Sequence, residues 1–342
     1  MPARRPVVRP GPGIPPTIAD VAREAAVSKT TASDALRGHG RVAEPTRRLV
    51  LEAAERLGYA PNRSARSLRT LMTETIALHV PEFLDNAEYG MSFVFGVAEQ
   101  AARAGLNVTL IPSGRLPDRH ATVPQADGLV LCDPMARDPV VERLMSNGLP
   151  VVTAECQVGD PRVTGIVRSD HDTAMTQLLD HLHESGARRP AFVASGTTGD
   201  RALTLQRAHA RWCAERGLPA LVGEAPSGSP PEVLRNVVRD LLSGAPETDA
   251  ILCAADSAAA AVLPEVRAAG RVVGENLLLA SCVDSQAMRT AEPPITALDL
   301  RPRETGAECA RLLCEIISGE TPRGTTRTLP VELICRASTR AR

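Results

Sequence analysis

Aromatic side chains are scarce in this 342-residue chain: one Trp, two Tyr and four Phe. A binding site lined with stacked rings is hard to build from so few. Lysine is scarcer still, with Lys29 the one example among 39 basic side chains. No apolar run is long enough to span a bilayer and the first residues hold no apolar signal core, so no membrane association and a cytoplasmic location are expected. The eight cysteines form no C-x-x-C pair and fall mostly in apolar stretches such as Leu131-Cys132 and Leu313-Cys314. Buried reduced thiols are expected, with neither zinc nor disulfides. His181 and His183 lie two apart on an expected helix, so their rings diverge and make no metal site. No strand leads into G-x-G-x-x-G, and P-loop and G-x-S-x-G patterns are missing, which removes the main signals of an enzyme on this kind of fold. Gly196-Thr197-Thr198-Gly199 reads as a loop, and no cofactor is expected.

What is present is unevenly spread. Residues 1–70 carry thirteen basic against six acidic side chains, a net of +7, whereas the rest of the chain carries −8. Positive charge gathered at one end suits a tethered module that meets phosphates. Residues 1–16, rich in proline and arginine, read as a disordered arm.

Residues 17–60 then read as three short helices. Thr17 caps the first, with Asp20 at its third position, and Ile18, Val21, Ala22 and Ala25 form one apolar stripe. Ala26-Val27-Ser28 makes a tight turn, with Ser28 as the next N-cap. On the second helix Ala32, Ala35 and Leu36 face inward, while Lys29, Thr30, Ser33, Asp34 and Arg37 share the opposite face. Pro45, the stripe of Leu49, Val50, Ala53, Ala54 and Leu57, and the stop at Gly58 mark a third helix. Such a unit is built to lay its second helix in a DNA groove.

The wording of this segment is specific: T-I-A-D-V-A-x-x-A, V-S-K-T-T, S-x-A-L, R-R-x-V-x-x-A-A-E-x-L-G-Y, then P-N-x-x-A-R-S-L. It resembles the DNA-binding headpiece of the lactose-repressor (LacI/GalR) family of bacterial transcription regulators. The resemblance implies a repressor that binds double-stranded operator DNA as a homodimer and responds to a small-molecule effector. The implied DNA contacts are Thr17, Ser28, Lys29, Thr30, Thr31, Ser33, Asp34, Tyr59, Asn62, Arg63, Leu68 and Arg69. Residues 61–74 would form a hinge helix and linker, opened by Asn62, with Leu68 wedging between base pairs.

From about residue 75 short apolar runs alternate with helical stretches. Expected strands are 76–80, 107–111, 128–131, 151–154, 190–194, 250–253 and 277–282. Expected helices are 92–104, 139–147, 172–185, 204–216, 232–243, 257–269 and 305–318. Such alternation implies parallel sheets covered on both faces. The expected fold is α/β, an N-terminal all-α helix-turn-helix headpiece plus a periplasmic-binding-protein-like effector domain of two parallel-sheet α/β subdomains. That domain would span 75–340, its N-subdomain about 75–167 and 301–327, its C-subdomain about 168–297 and 328–340. Ala126-Asp127-Gly128, Ala255-Asp256, Pro293-Pro294-Ile295-Thr296 and Arg336-Ala337-Ser338-Thr339 resemble landmarks of the same family.

Departures from the family fall on the ligand cleft. Leu205 stands where sugar-responsive relatives carry Arg, Ala255 where they carry Asn, and Val283 where they carry the first of two Asp residues. Tyr89, Glu155, Arg207, His209, Asp256 and Asp284 remain as candidate ligand-binding groups. An effector other than a plain sugar is expected, because each lost partner leaves a sugar hydroxyl unpaired. A solute-binding protein, or an α/β enzyme with a fortuitous helical N-terminus, is the alternative reading.

Overall fold

The computed structural model describes residues 16–37, 42–59, 72–81, 88–111, 125–134, 138–155, 160–196, 199–226 and 228–340. They fall into two compact units, one up to Thr73 and one from Glu74. Asn62, Arg63, Leu68 and Arg69, and the expected hinge helix with them, lie outside the described residues.

The first unit holds helices α1 (Ile18–Glu24), α2 (Lys29–Arg37) and α3 (Glu44–Leu57). Val21, Ala22, Ala32, Ala35, Val50, Ala53 and Ala54 form its buried core, with Ile18, Leu36, Leu57 and Tyr59 packed against it. Small alanines let three short helices approach closely, and the core is correspondingly thin. α3 ends at Gly58, whose φ of 63° is the left-handed geometry that glycine adopts without cost.

The second unit is built on two six-stranded sheets. The first runs β11-β5-β4-β3-β1-β2, all parallel, from β1 (Thr75–His79), β2 (Asn107–Ile111), β3 (Gly128–Cys132), β4 (Val151–Ala154), β5 (Gly165–Ser169) and β11 (Thr325–Leu329). The second runs β12-β10-β9-β8-β6-β7, from β6 (Pro190–Ala194), β7 (Leu221–Glu224), β8 (Ala250–Cys253), β9 (Leu278–Ser281), β10 (Thr296–Asp299) and β12 (Glu332–Ile334). Only β12 is antiparallel there, pairing with β10. The chain passes between the sheets after β5, after β10 and after β11. Central strands β3, β4, β8 and β9 are buried along their whole length, as parallel strands with helices on both faces require.

Strands β5, β7, β10, β11 and β12 were not expected from the sequence. They are short, carry Gly, Arg, Thr, Asp or Glu, and show no continuous apolar run. The single helix expected over 257–269 is two, α9 (Ala258–Ala261) and α10 (Leu263–Ala268), because Pro264 has no N–H to continue the ladder. The helix expected from 92 begins a turn earlier: α4 runs Glu88–Arg103 and so carries Tyr89 in its first turn.

α4 lies against α12 (Pro302–Ser318), the helix that returns from the second sheet to cover the first. The two backbones meet at a pair of glycines. A Cβ on Gly96 would stand 1.9 Å from the Arg303 carbonyl oxygen, and one on Gly306 would stand 2.2 Å from that of Phe93. Below the crossing, Leu312, Leu313 and Ile316 of α12 join the core over β3, β4 and β5. Gly306→Val should therefore cost about 1–3 kcal/mol by overpacking, lowering the melting temperature by roughly 2–4 °C per kcal/mol in a chain of this size. Gly244→Ala, with nothing within 4 Å of the added Cβ, should leave it unchanged.

Candidate functional site

In the first unit the exposed face of α2 is set by its cap. The Ser28 hydroxyl accepts the Thr31 N–H at 3.0 Å and lies 2.8 Å from the Thr31 hydroxyl. Thr17 donates both its N–H and its hydroxyl to Asp20, at 2.9 and 2.7 Å, fixing the start of α1. Lys29 and Thr30 stand exposed at the N-terminal end of α2, while Ser33 and Asp34 are partly covered. Thr31 is turned back toward Ser28, and Tyr59 lies on the headpiece core. Between α1 and α2, Ala26 takes a φ of 54°, a strained value for a residue with a Cβ. The helix thus presents two long or polar side chains in its first turn, the place from which recognition helices touch base edges.

In the second unit the carboxyl ends of β3, β4 and β5 carry Asp133, Glu155 and Ser169 side by side. Asp133 and Glu155 have φ of 39° and 57°, left-handed values in non-glycine residues, of the kind that collect at functional sites. Glu155 is almost fully buried; its Oε1 accepts the Ser169 N–H at 3.0 Å and its Oε2 is 2.8 Å from His171 Nε2. Burial works against this charge, but His171 and the Ser169 N–H outweigh it and hold the carboxyl below its ordinary value. His171 opens α6 (His171–Glu184), where the chain first crosses between sheets.

The facing wall comes from α7 (Asp200–Glu215), which follows β6. Asp133 Oδ1 stands 3.9 Å from where a Cβ on Gly199 would lie, directly before α7. Burial pushes the Asp133 carboxyl up to about 6; Arg201 and His171 pull it down, and Glu155 and Asp200 push it further up. It nevertheless keeps part of its surface open, as a residue lining a cleft does. Arg201 donates to the Ala254 carbonyl at 2.9 Å. Burial raises the Tyr89 phenol well above its usual value, with Cys132, Glu155 and Asp133 adding to the effect. Beside it, Glu88 binds Arg289 at 2.6 Å and accepts the Gln286 N–H at 2.5 Å, joining α4 to α11 (Gln286–Thr290) across the cleft.

Of the six ligand candidates read from the sequence, Tyr89 and Glu155 lie together in this cleft, and Asp256 is half-buried at the carboxyl end of β8. The other three stand elsewhere. Arg207 is exposed on α7 with its Nε on the Leu203 carbonyl. His209 is fully buried beside Phe192, facing the Pro190 carbonyl, because this position of α7 points to the sheet. Asp284 is spent on Arg336, which reaches it through both Nη atoms at 2.8 and 2.9 Å, and on Arg289 at 3.3 Å.

Two family models match this chain: "Bacterial regulatory proteins, lacI family" over residues 17–62 and "Periplasmic binding protein-like domain" over 179–339. The HTH-type transcriptional regulator CelR of Thermobifida fusca is 30% identical over 336 residues, covering 94% of this chain and 98% of that protein. The chain belongs to the LacI family. Catabolite control protein A of Priestia megaterium, another LacI-type relative, is 28% identical, covering 95% of this chain and 99% of its own length. A lac repressor dimer bound to operator and the anti-inducer ONPF superposes with a TM-score of 0.79 at 20% identity, over 95% of this chain and 99% of that one. A CelR–cellobiose complex superposes with a TM-score of 0.69 at 28% identity, over 94% and 99%. This LacI-family chain is a transcriptional regulator and not an enzyme, and among its described residues no helix is long and apolar enough to cross a membrane.

The apolar departures from the family pattern are core residues, Leu205 and Val283 both being buried. Sequence reasoning missed Asp133, His171, Asp200 and Arg201. One signal was available: Arg201 precedes Leu205 by four residues, so the guanidinium absent at 205 returns one helical turn nearer the cleft. The others needed the strand ends to be brought together. The raised Asp133 value has a consequence for stability. An acid whose pKa is higher in the folded than in the unfolded chain binds its proton more tightly when folded, so its contribution is greatest below about 3.8 and is lost as pH rises through about 6. Asp133→Asn removes that penalty. Its melting temperature should match the parent near pH 4 and increasingly exceed it towards pH 7.5; a lower value at pH 7.5 would count against the buried charge.

Proposed function

We propose that this chain is a repressor that binds a palindromic operator as a homodimer, and that a small polar effector held between the two sheets of the second unit sets its affinity for DNA. The observation that carries the DNA half is the Ser28-capped α2 with Lys29 and Thr30 exposed in its first turn. Lys29 and Thr30 are the base-edge and phosphate contacts in this reading, followed one turn later by Ser33 and Asp34. Thr17, Ser28, Thr31 and Tyr59 fix the helix ends and the packing beneath. Asn62, Arg63, Leu68 and Arg69 would form the hinge, with Leu68 as a minor-groove wedge and Arg69 beside it. The domain boundaries read from the sequence, with the headpiece over 17–60 and the effector domain over 75–340, belong to the same proposal.

An Asp in the groove accepts from a cytosine amine, whereas Arg would grip guanine. Asp34→Arg should therefore change the preferred base at one half-site position by ~1–3 kcal/mol, read by selection from a random DNA pool. An unchanged motif would remove Asp34 from the readout. Lys29→Ala should weaken binding and flatten its salt dependence by a slope of about 1.

Support for the dimer comes from α4. Met91 and Phe95, one turn apart, are 46% and 54% exposed in the single chain, an apolar pair that a second copy would cover. Phe95→Glu should yield monomers in sedimentation and lose most operator affinity; a dimer that persists would place the interface elsewhere. Support for the effector half comes from the cleft groups Tyr89, Asp133, Glu155, His171 and Arg201, and from a relative whose solved complex contains cellobiose. The expectation that a plain sugar lacks partners rested on Leu205, Ala255 and Val283; Leu205 and Val283 lie in the core, and Asp133 and Arg201 supply polar capacity in the cleft from other positions.

A further inference from the structure

Two polar groups of the cleft lack hydrogen-bond partners among the described residues, and they come from opposite walls. The Asp133 carboxylate accepts no hydrogen bond; only its backbone N–H is engaged, on Ala154. The Arg201 Nε–H is buried without an acceptor, although an Nη of the same guanidinium is held by Ala254. Buried polar groups left unpaired are costly, and a set of them facing one cleft describes the missing ligand by complementarity.

The signs of the charges narrow that ligand. Asp133, Glu155 and Asp200 bring three carboxylates to the cleft, set against Arg201 and His171. Glu155 is already satisfied by His171 and the Ser169 N–H. Asp133 feels Arg201 and His171 but accepts a hydrogen bond from neither, and so is the carboxylate left open to a ligand. A neutral polyol would pair the Arg201 Nε–H but bring no counter-charge, and an anionic ligand would add like charge beside Asp133. Hydrogen bonds between ionised partners are roughly twice as strong as neutral ones.

We propose that the cleft takes a ligand bearing a primary ammonium next to an oxygen acceptor, the ammonium on Asp133 and the oxygen on Arg201 Nε. The proposal rests on the effector-cleft reading above and specifies its chemistry. Amino sugars and α-amino acids share this pairing of groups, and the length of the polar remainder separates them.

Isothermal titration of the full chain at pH 7.5 distinguishes them, using glucosamine against glucose, the β-1,4-linked glucosamine disaccharide against cellobiose, and serine as the amino-acid arm. The expected result is at least tenfold tighter binding of an amino sugar than of its neutral counterpart, or micromolar binding of serine. Asp133→Asn should abolish the preference while the chain stays folded by thermal melt. Near pH 6 the ammonium displaces the Asp133 proton, so the binding heat should vary with the ionisation enthalpy of the buffer. Neutral sugars binding as tightly as amino sugars, or a preference that survives Asp133→Asn, would overturn the ammonium assignment while leaving the cleft as an effector site. Binding that is unchanged in both Asp133→Asn and Arg201→Ala would overturn the cleft reading as well. No heat with any probe overturns the proposal.

Discussion

The second unit depends on how closely α4 and α12 approach. Gly96 and Gly306 remove the side chains that would hold those backbones apart. α12 can then press Leu312, Leu313 and Ile316 onto β3, β4 and β5. Those three strands end in Asp133, Glu155 and Ser169, so the packing that closes the core also aligns one wall of the cleft. The first turn of α4 supplies Tyr89 to the same cleft and sends Glu88 across it to Arg289. A helix contact set by two glycines thus fixes the position of charged groups on both sides.

The opposite wall is anchored from the C-terminal end of the chain. Arg336 grips Asp284 and the Ile295 carbonyl, the Ser338 hydroxyl reaches the Leu279 carbonyl, and the Thr339 hydroxyl meets both Thr296 and His181. These bonds tie the last residues to β9, β10 and α6, close to two of the places where the chain changes sheets. The family landmark around Arg336 therefore has a mechanical reason here. It ties these residues into the second sheet and the helix packed on it.

Most of the headpiece was legible because its determinants are local. A Ser28 hydroxyl caps the residues that immediately follow it, and a stripe such as Ile18, Val21, Ala22 and Ala25 needs only the helical repeat to share a face. The central strands were legible for a related reason: burial on both faces demands an unbroken apolar run, as in Gly128–Cys132 and Ala250–Cys253. Edge and crossing strands such as Thr325–Leu329 carry no such run and emerge only once a neighbour pairs with them.

The candidate ligand groups mark the boundary between what the sequence determined and what only tertiary structure decided. The sequence by itself determined the family, the three-helix headpiece, the exposed start of α2 and the α/β character of the remainder, all carried by residues near one another in the chain. It placed Arg207, His209 and Asp284 among the ligand groups by their spacing to family motifs. Helix rotation buried His209, left Arg207 outside, and a partner 52 residues further along claimed Asp284. Asp133, His171 and Arg201 drew no notice as isolated letters. Their charges act on one another only because strand ends of the first sheet and the start of α7, beyond β6 of the second, face each other across one cleft, which is a property of the tertiary arrangement and not of any stretch of sequence.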